Sequence, residues 1–145
     1  MYVDEGYSKY VDDGYRVYVR GGESLLTAVG HFSGTQLNEV IALLEKSLDW
    51  SKKAKESKLE ITKLLGSFVG GTELSQQGIA LVFYSANKGN QTDVILKIQD
   101  FNNMFLKIDI YLNSAQVSQL VVLLKKVPDT YSELKAQKAK ADILK

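Results

Sequence analysis

Cysteine is absent from the 145 residues, and histidine, tryptophan and proline occur once each. Without thiols the chain has neither a disulfide frame nor a thiolate metal site. That composition fits a reducing compartment, so a cytoplasmic protein is expected, or a nucleoid or nuclear one if it binds nucleic acid. Charge of one sign is also missing. Lys+Arg 18 against Asp+Glu 17 leaves +1, which lacks both the basic excess of a sequence-independent duplex binder and the acidic excess of a disordered tail. Any nucleic-acid site must therefore be local. No apolar run approaches the roughly 18 residues that span a bilayer. Met1 is followed by Tyr-Val-Asp-Glu instead of a basic and then apolar leader, so a soluble, unprocessed chain with no membrane contact is expected.

Catalytic constellations are missing too. His31 stands alone at the end of an expected strand, and a general base needs a positioned partner whereas a satisfied surface histidine needs nothing. The acidic pairs Asp4-Glu5 and Asp12-Asp13 each precede a glycine, which is turn chemistry before it is a metal site. Gly21-Gly22 and Gly70-Gly71 lack the spacing and the following lysine of a phosphate-cradling loop. We expect no enzyme, no metal and no cofactor. A small-molecule sensor between two halves has no residue in its favour.

What is present is repetition. Residues 33–46 overlay residues 113–126 without a gap, and Gln36, Leu43, Leu44 and Lys46 match Gln116, Leu123, Leu124 and Lys126. Each segment opens with capping-box spacing, Ser33 with Gln36 and Asn113 with Gln116. Leu37, Val40, Ile41, Leu44 and Leu48, and likewise Val117, Leu120, Val121 and Leu124, recur at helical spacing and give each helix one apolar stripe.

The segments before the helices alternate with period two. Leu106, Ile108, Ile110 and Leu112 alternate with Phe105, Lys107, Asp109 and Tyr111, and Val94, Leu96 and Ile98 with Ile95, Lys97 and Gln99. Both read as half-buried strands, with Asn102-Asn103 as the turn. Residues 78–86 form an apolar strand closed by the turn at 87–90, and residues 59–68 read as a weaker strand or a helical continuation. At the N-terminus, Tyr2-Val3-Asp4-Glu5-Gly6-Tyr7 returns as Tyr10-Val11-Asp12-Asp13-Gly14-Tyr15, which is hairpin chemistry. Strands are expected near 2–4, 7–11, 15–20 and 25–32, with turns at Glu5-Gly6, Asp13-Gly14 and Gly21-Gly22. The fold class is therefore α+β: two tandem β-β-β-β-α units, each with an antiparallel sheet packed on one helix. Their boundaries are 1–58 and 59–128. Residues 49–58 finish the first helix, Pro128 ends or kinks the second, and 129–145 is a tail, either short helix or frayed.

One side of strand 15–20 carries Arg16, Tyr18 and Arg20. A flat aromatic with a cation on either side suits unpaired nucleic acid, because any base stacks on a ring and guanidinium groups neutralise phosphates. When Leu106, Ile108 and Ile110 face the helix, Phe105, Lys107 and Tyr111 face away with Lys97 beside them, and Asp109 interrupts that face. Tyr18, Phe105 and Tyr111 would stack bases, and Arg16, Arg20, Lys97 and Lys107 would contact phosphates. Two plainer readings compete. Aromatics and cross-strand cation pairs stabilise exposed sheets unaided, and outward Tyr and Arg also suit an interface.

Two tandem units of four strands and a helix over residues 2–128, with Phe105-Leu106-Lys107-Ile108-Asp109-Ile110-Tyr111-Leu112 leading into Asn113, resemble the whirly or Pur-alpha-type fold of single-stranded nucleic-acid-binding proteins. The resemblance implies curved sheet faces that bind single-stranded DNA or RNA with little sequence specificity, through Arg16, Tyr18, Arg20, Lys97, Phe105 and Lys107. It also implies helices on the opposite side or in pairing; a homo-oligomer is expected, and a homodimer in the alternative reading. The alternative is a small protein–protein interaction factor, an inhibitor or accessory protein of phage or mobile-element type, acting through the exposed aromatics or the helices.

Overall fold

The computed structural model describes residues 2–5, 15–23, 26–70, 77–100 and 106–144. Among the described residues the elements are, in order, β1 Tyr2–Glu5, β2 Tyr15–Glu23, β3 Leu26–Ser33, α1 Gly34–Ser57, β4 Ile61–Gly70, β5 Gln77–Ala86, β6 Gln91–Asp100, β7 Leu106–Asn113, α2 Ser114–Lys125 and α3 Val127–Ile143. The architecture is mixed α+β, with a three-stranded antiparallel sheet β1-β2-β3 and a four-stranded antiparallel sheet β4-β5-β6-β7. The strand expected at 7–11 and the turns expected at Glu5-Gly6, Asp13-Gly14 and Asn102-Asn103 lie outside the described residues.

Helices α1 and α2 start where the cap residues stand. The Gln116 N–H donates to Asn113 Oδ1 at 2.9 Å while Gln116 Oε1 accepts from the Asn113 N–H at 2.9 Å, which satisfies two orphan donors reciprocally. At α1 the Ser33 N–H donates to Gln36 Oε1 at 3.0 Å. Helix α1 ends at Lys58, whose left-handed backbone (φ 50°) lets the Leu59 N–H reach Ala54 O at 2.9 Å. Pro128 lies in the first turn of α3, where its missing N–H is harmless. The proline therefore starts a third helix, and residues 129–143 of the expected tail are helical.

The helices and both sheets share one core. Val17 and Phe32 of the first sheet join Leu37, Val40, Ile41 and Leu44 of α1, the inward rows of β4–β7, and Val117, Val121 and Leu124 of α2 in one buried cluster. Strand β3 touches all four strands of the larger sheet, so the smaller sheet crosses the core face of the larger. Each fully buried side chain of this kind contributes about 1.5–3 kcal/mol.

Strand β4 is irregular. Its register with β5 shifts between Leu64 and Gly66, so Leu65 is an extra residue that changes which parity faces inward. Lys63 is opposite Phe83 and Phe68 opposite Ile79, on one face despite their odd spacing. The turn at 87–90 takes φ of 52°, 54° and 80° at Asn87, Lys88 and Gly89. Its tip is seated on the end of α1, where a Cβ on Gly89 would collide with the Ala54 carbonyl. Gly21 and Gly22 correct the sequence expectation: they lie inside β2, opposite Ala28 and Thr27, because the strand continues past them. Among the described residues no helix is long and apolar enough to cross a membrane.

Candidate nucleic-acid interface

The register of the larger sheet defines four rungs across the face opposite the core. Thr62, Tyr84, Asp93 and Asn113 form one; Leu64, Val82, Ile95 and Tyr111 the next; Ser67, Ala80, Lys97 and Asp109 the third. The fourth passes through Gly78, Gln99 and Lys107. Antiparallel pairing places cross-strand neighbours on the same face, so these side chains form one surface.

Tyr111 is 56% exposed and meets Tyr84 edge to face, ring centroids 6.4 Å apart. Leu64, at the other end of the Tyr111 rung, is 58% exposed, whereas Val82 and Ile95 between them are buried. Central-strand positions are shielded by larger neighbours on both sides. On the third rung the Lys97 ammonium donates to Asp109 Oδ2 at 3.0 Å. Both side chains are more than 40% exposed, so the pair is worth only about 0.2–1 kcal/mol. It nevertheless partly neutralises a cation that the sequence assigned to phosphate contact. Lys107, one rung on, is exposed.

Beside these lysines the surface dips. Ser67, Gly78 and Ala80 form the floor of a depression of about 350 Å³, bordered by Lys97, Gln99, Lys107 and Asp109. This lies within the range of small-ligand pockets, about 300–1,000 Å³. Small residues, not a missing strand, create it. A Cβ on Gly78 would make only ordinary contacts, at 4.0 Å from Gln99 Cβ and from the Phe68 carbonyl oxygen, so sterics of the fold do not require glycine there.

The structure thus brings Lys97, Lys107 and Tyr111 onto one surface. Arg16, Tyr18 and Arg20 occupy alternate positions of β2, opposite Ser33, His31 and Val29 of β3, in the other sheet. Phe105 lies outside the described residues. His31 is thereby a strand residue in register with Tyr18, and among the described residues no three His, Cys, Asp or Glu side chains converge.

One aromatic was overlooked in the sequence. Trp50 of α1 packs edge to face on Phe83, centroids 5.5 Å apart, with the ammonium groups of Lys46 and Lys63 at 5.0 and 4.9 Å from its ring. Lys46 and Trp50 are one helical turn apart, a spacing readable in advance. Lys63 comes from β4, and it reaches this face only because the bulge at Leu65 changes the parity of the strand. Comparison with protein-family models, with curated proteins and with solved structures returned no match to this chain.

Proposed function

We propose that this protein is a binding module for unpaired nucleic acid, with the outward face of β4–β7 as its contact surface. The observation that carries the reading is the juxtaposition, on one exposed sheet face, of the Tyr84–Tyr111 pair with a depression bordered by Lys97 and Lys107. Rings accept any base, and lysines at the next rungs suit the phosphates of a strand lying across the sheet. Arg16, Tyr18 and Arg20 on β2 extend the same chemistry to the second sheet. The reading takes the chain as two related β4α units, residues 1–58 and 59–128, after the whirly and Pur-alpha resemblance, acting as a homodimer without catalysis. Stacking contributes about 1–3 kcal/mol per base, and the charge available is small. Affinity on the order of 10 μM at low salt, with little sequence preference, is the expected regime.

The test is a fluorescence-anisotropy titration of a labelled single-stranded oligonucleotide at two salt concentrations. Wild type is compared with Tyr111→Ala/Lys107→Ala and with Arg16→Ala/Tyr18→Ala. Salt-sensitive binding that both double variants weaken is the expected result. No binding at tens of micromolar protein in low salt removes the reading.

A second reading is favoured by one specific observation. Leu64 is largely exposed at the end of an apolar rung, where a protein partner or a second copy would bury it. Light scattering decides between them: a stable dimer indifferent to oligonucleotide, and dissociated by Leu64→Lys, supports the interface.

A further inference from the structure

The two halves of the chain meet around a cavity of about 200 Å³. Phe32 of β3 with Val40 and Leu44 of α1 line one side, and Leu96 of β6 with Leu120 and Leu124 of α2 belong to the other. Every side chain on the wall is apolar. Water needs two to four polar partners to settle in an interior site, and an all-apolar wall offers none from its side chains. Close-packed interiors hold few voids larger than one water molecule. An engineered cavity of about 150 Å³ with similar lining stays dry and takes up benzene. Leu44 and Leu124 are essentially fully buried, whereas Leu120 of α2 and Ile110 and Leu112 of β7 are only half-buried, so the wall is thinner where Leu120 and β7 close it.

We infer that this cavity is a binding site for a small apolar molecule or group, of the size of a one-ring hydrocarbon or an alkyl chain of about six carbons. Because its wall is drawn from both halves of the chain, an occupant ties β3 and α1 to the larger sheet and α2. The inference stands on the core alone and is independent of the nucleic-acid reading.

Toluene is the probe, added to the full chain and followed by methyl carbon–proton NMR. Saturable shifts concentrated on the methyl groups of Val40, Leu44, Leu96, Leu120 and Leu124 are expected, with a thermal midpoint that rises with toluene concentration. Leu120→Phe places a ring at the thin part of the wall and is expected to weaken toluene binding at least tenfold. Val40→Ile, which adds one methyl group to the wall, keeps the test open should that variant fail to fold; it should weaken toluene binding while sparing the smaller probe xenon. Absence of saturable shifts, shifts spread evenly over the surface, or undiminished toluene binding in the folded variants overturns the inference.

Discussion

Replacing Gly89 by alanine isolates one contact that joins the two parts of the chain. Gly89 is buried at φ 80°, and the atoms its Cβ would strike belong to the backbone of α1, the Ala54 carbonyl and Lys55 Cα. A flexible side chain can step aside, but a helix backbone cannot, so the turn at 87–90 must lift off α1. The left-handed φ costs an alanine about 1–2 kcal/mol, and forcing an extra carbon into a packed site typically costs about 1–3 kcal/mol. A loss of about 2–5 kcal/mol follows, and at about 3 °C per kcal/mol for a chain of this size the thermal midpoint falls by about 6–15 °C. Gly66→Ala is the matched control. There the added Cβ meets Leu43 Cδ1 at 2.5 Å, the end of a side chain that can rotate, so the loss should stay near 1 kcal/mol or less. Urea unfolding of both variants, followed by circular dichroism, gives the comparison. A Gly89→Ala protein within about 0.5 kcal/mol of wild type, or Gly66→Ala as damaging as Gly89→Ala, refutes the claim of backbone contact.

Three further outcomes follow from the geometry. Asp109→Asn releases Lys97 from its 3.0 Å partner and should tighten oligonucleotide binding on the order of threefold at low salt, steepening the salt dependence by about 0.7; unchanged affinity and slope remove Lys97 from the site. Asn113→Ala takes away the acceptor for the Gln116 N–H and should cost about 1 kcal/mol in chemical denaturation; a loss under about 0.3 kcal/mol contradicts the cap. Lys46→Ala/Lys63→Ala strips both cations from the only tryptophan, so its emission should move to the red with a loss of about 1–2 kcal/mol; an unmoved emission maximum contradicts the packing described for Trp50.

The sequence was most legible where one local rule governed each element. Cap residues located the starts of α1 and α2, and strict alternation separated Ile108, Ile110 and Leu112 from Lys107, Asp109 and Tyr111. Strand β4 read poorly because its bulge at Leu65 breaks that alternation midway, leaving Leu64 and Leu65 as an adjacent apolar pair that suits a helix equally well. Gly21-Gly22 misled for the opposite reason: glycines favour turns locally, yet pairing with β3 keeps this pair in a strand. The Lys97–Asp109 pair depends on cross-strand register and the lining of the depression on which small residues fall side by side. The apolar cavity depends on how side chains from seven elements fail to fill the space between them. None of these is written in a single segment. The candidate site was thus visible as residue types on β6 and β7, while its electrostatic balance and its depression were set by tertiary pairing.

The most direct test of the account is amide chemical-shift mapping of the isotope-labelled protein with an unlabelled single-stranded oligonucleotide at low salt, repeated with Gly78→Val, which fills the depression floor at a position that tolerates a side chain. The account predicts shifts at residues 78–80, 97–99 and 107–111 that fade with salt and are lost in the variant. Shifts absent throughout the titration, or confined to α3 and the cavity wall, would contradict it.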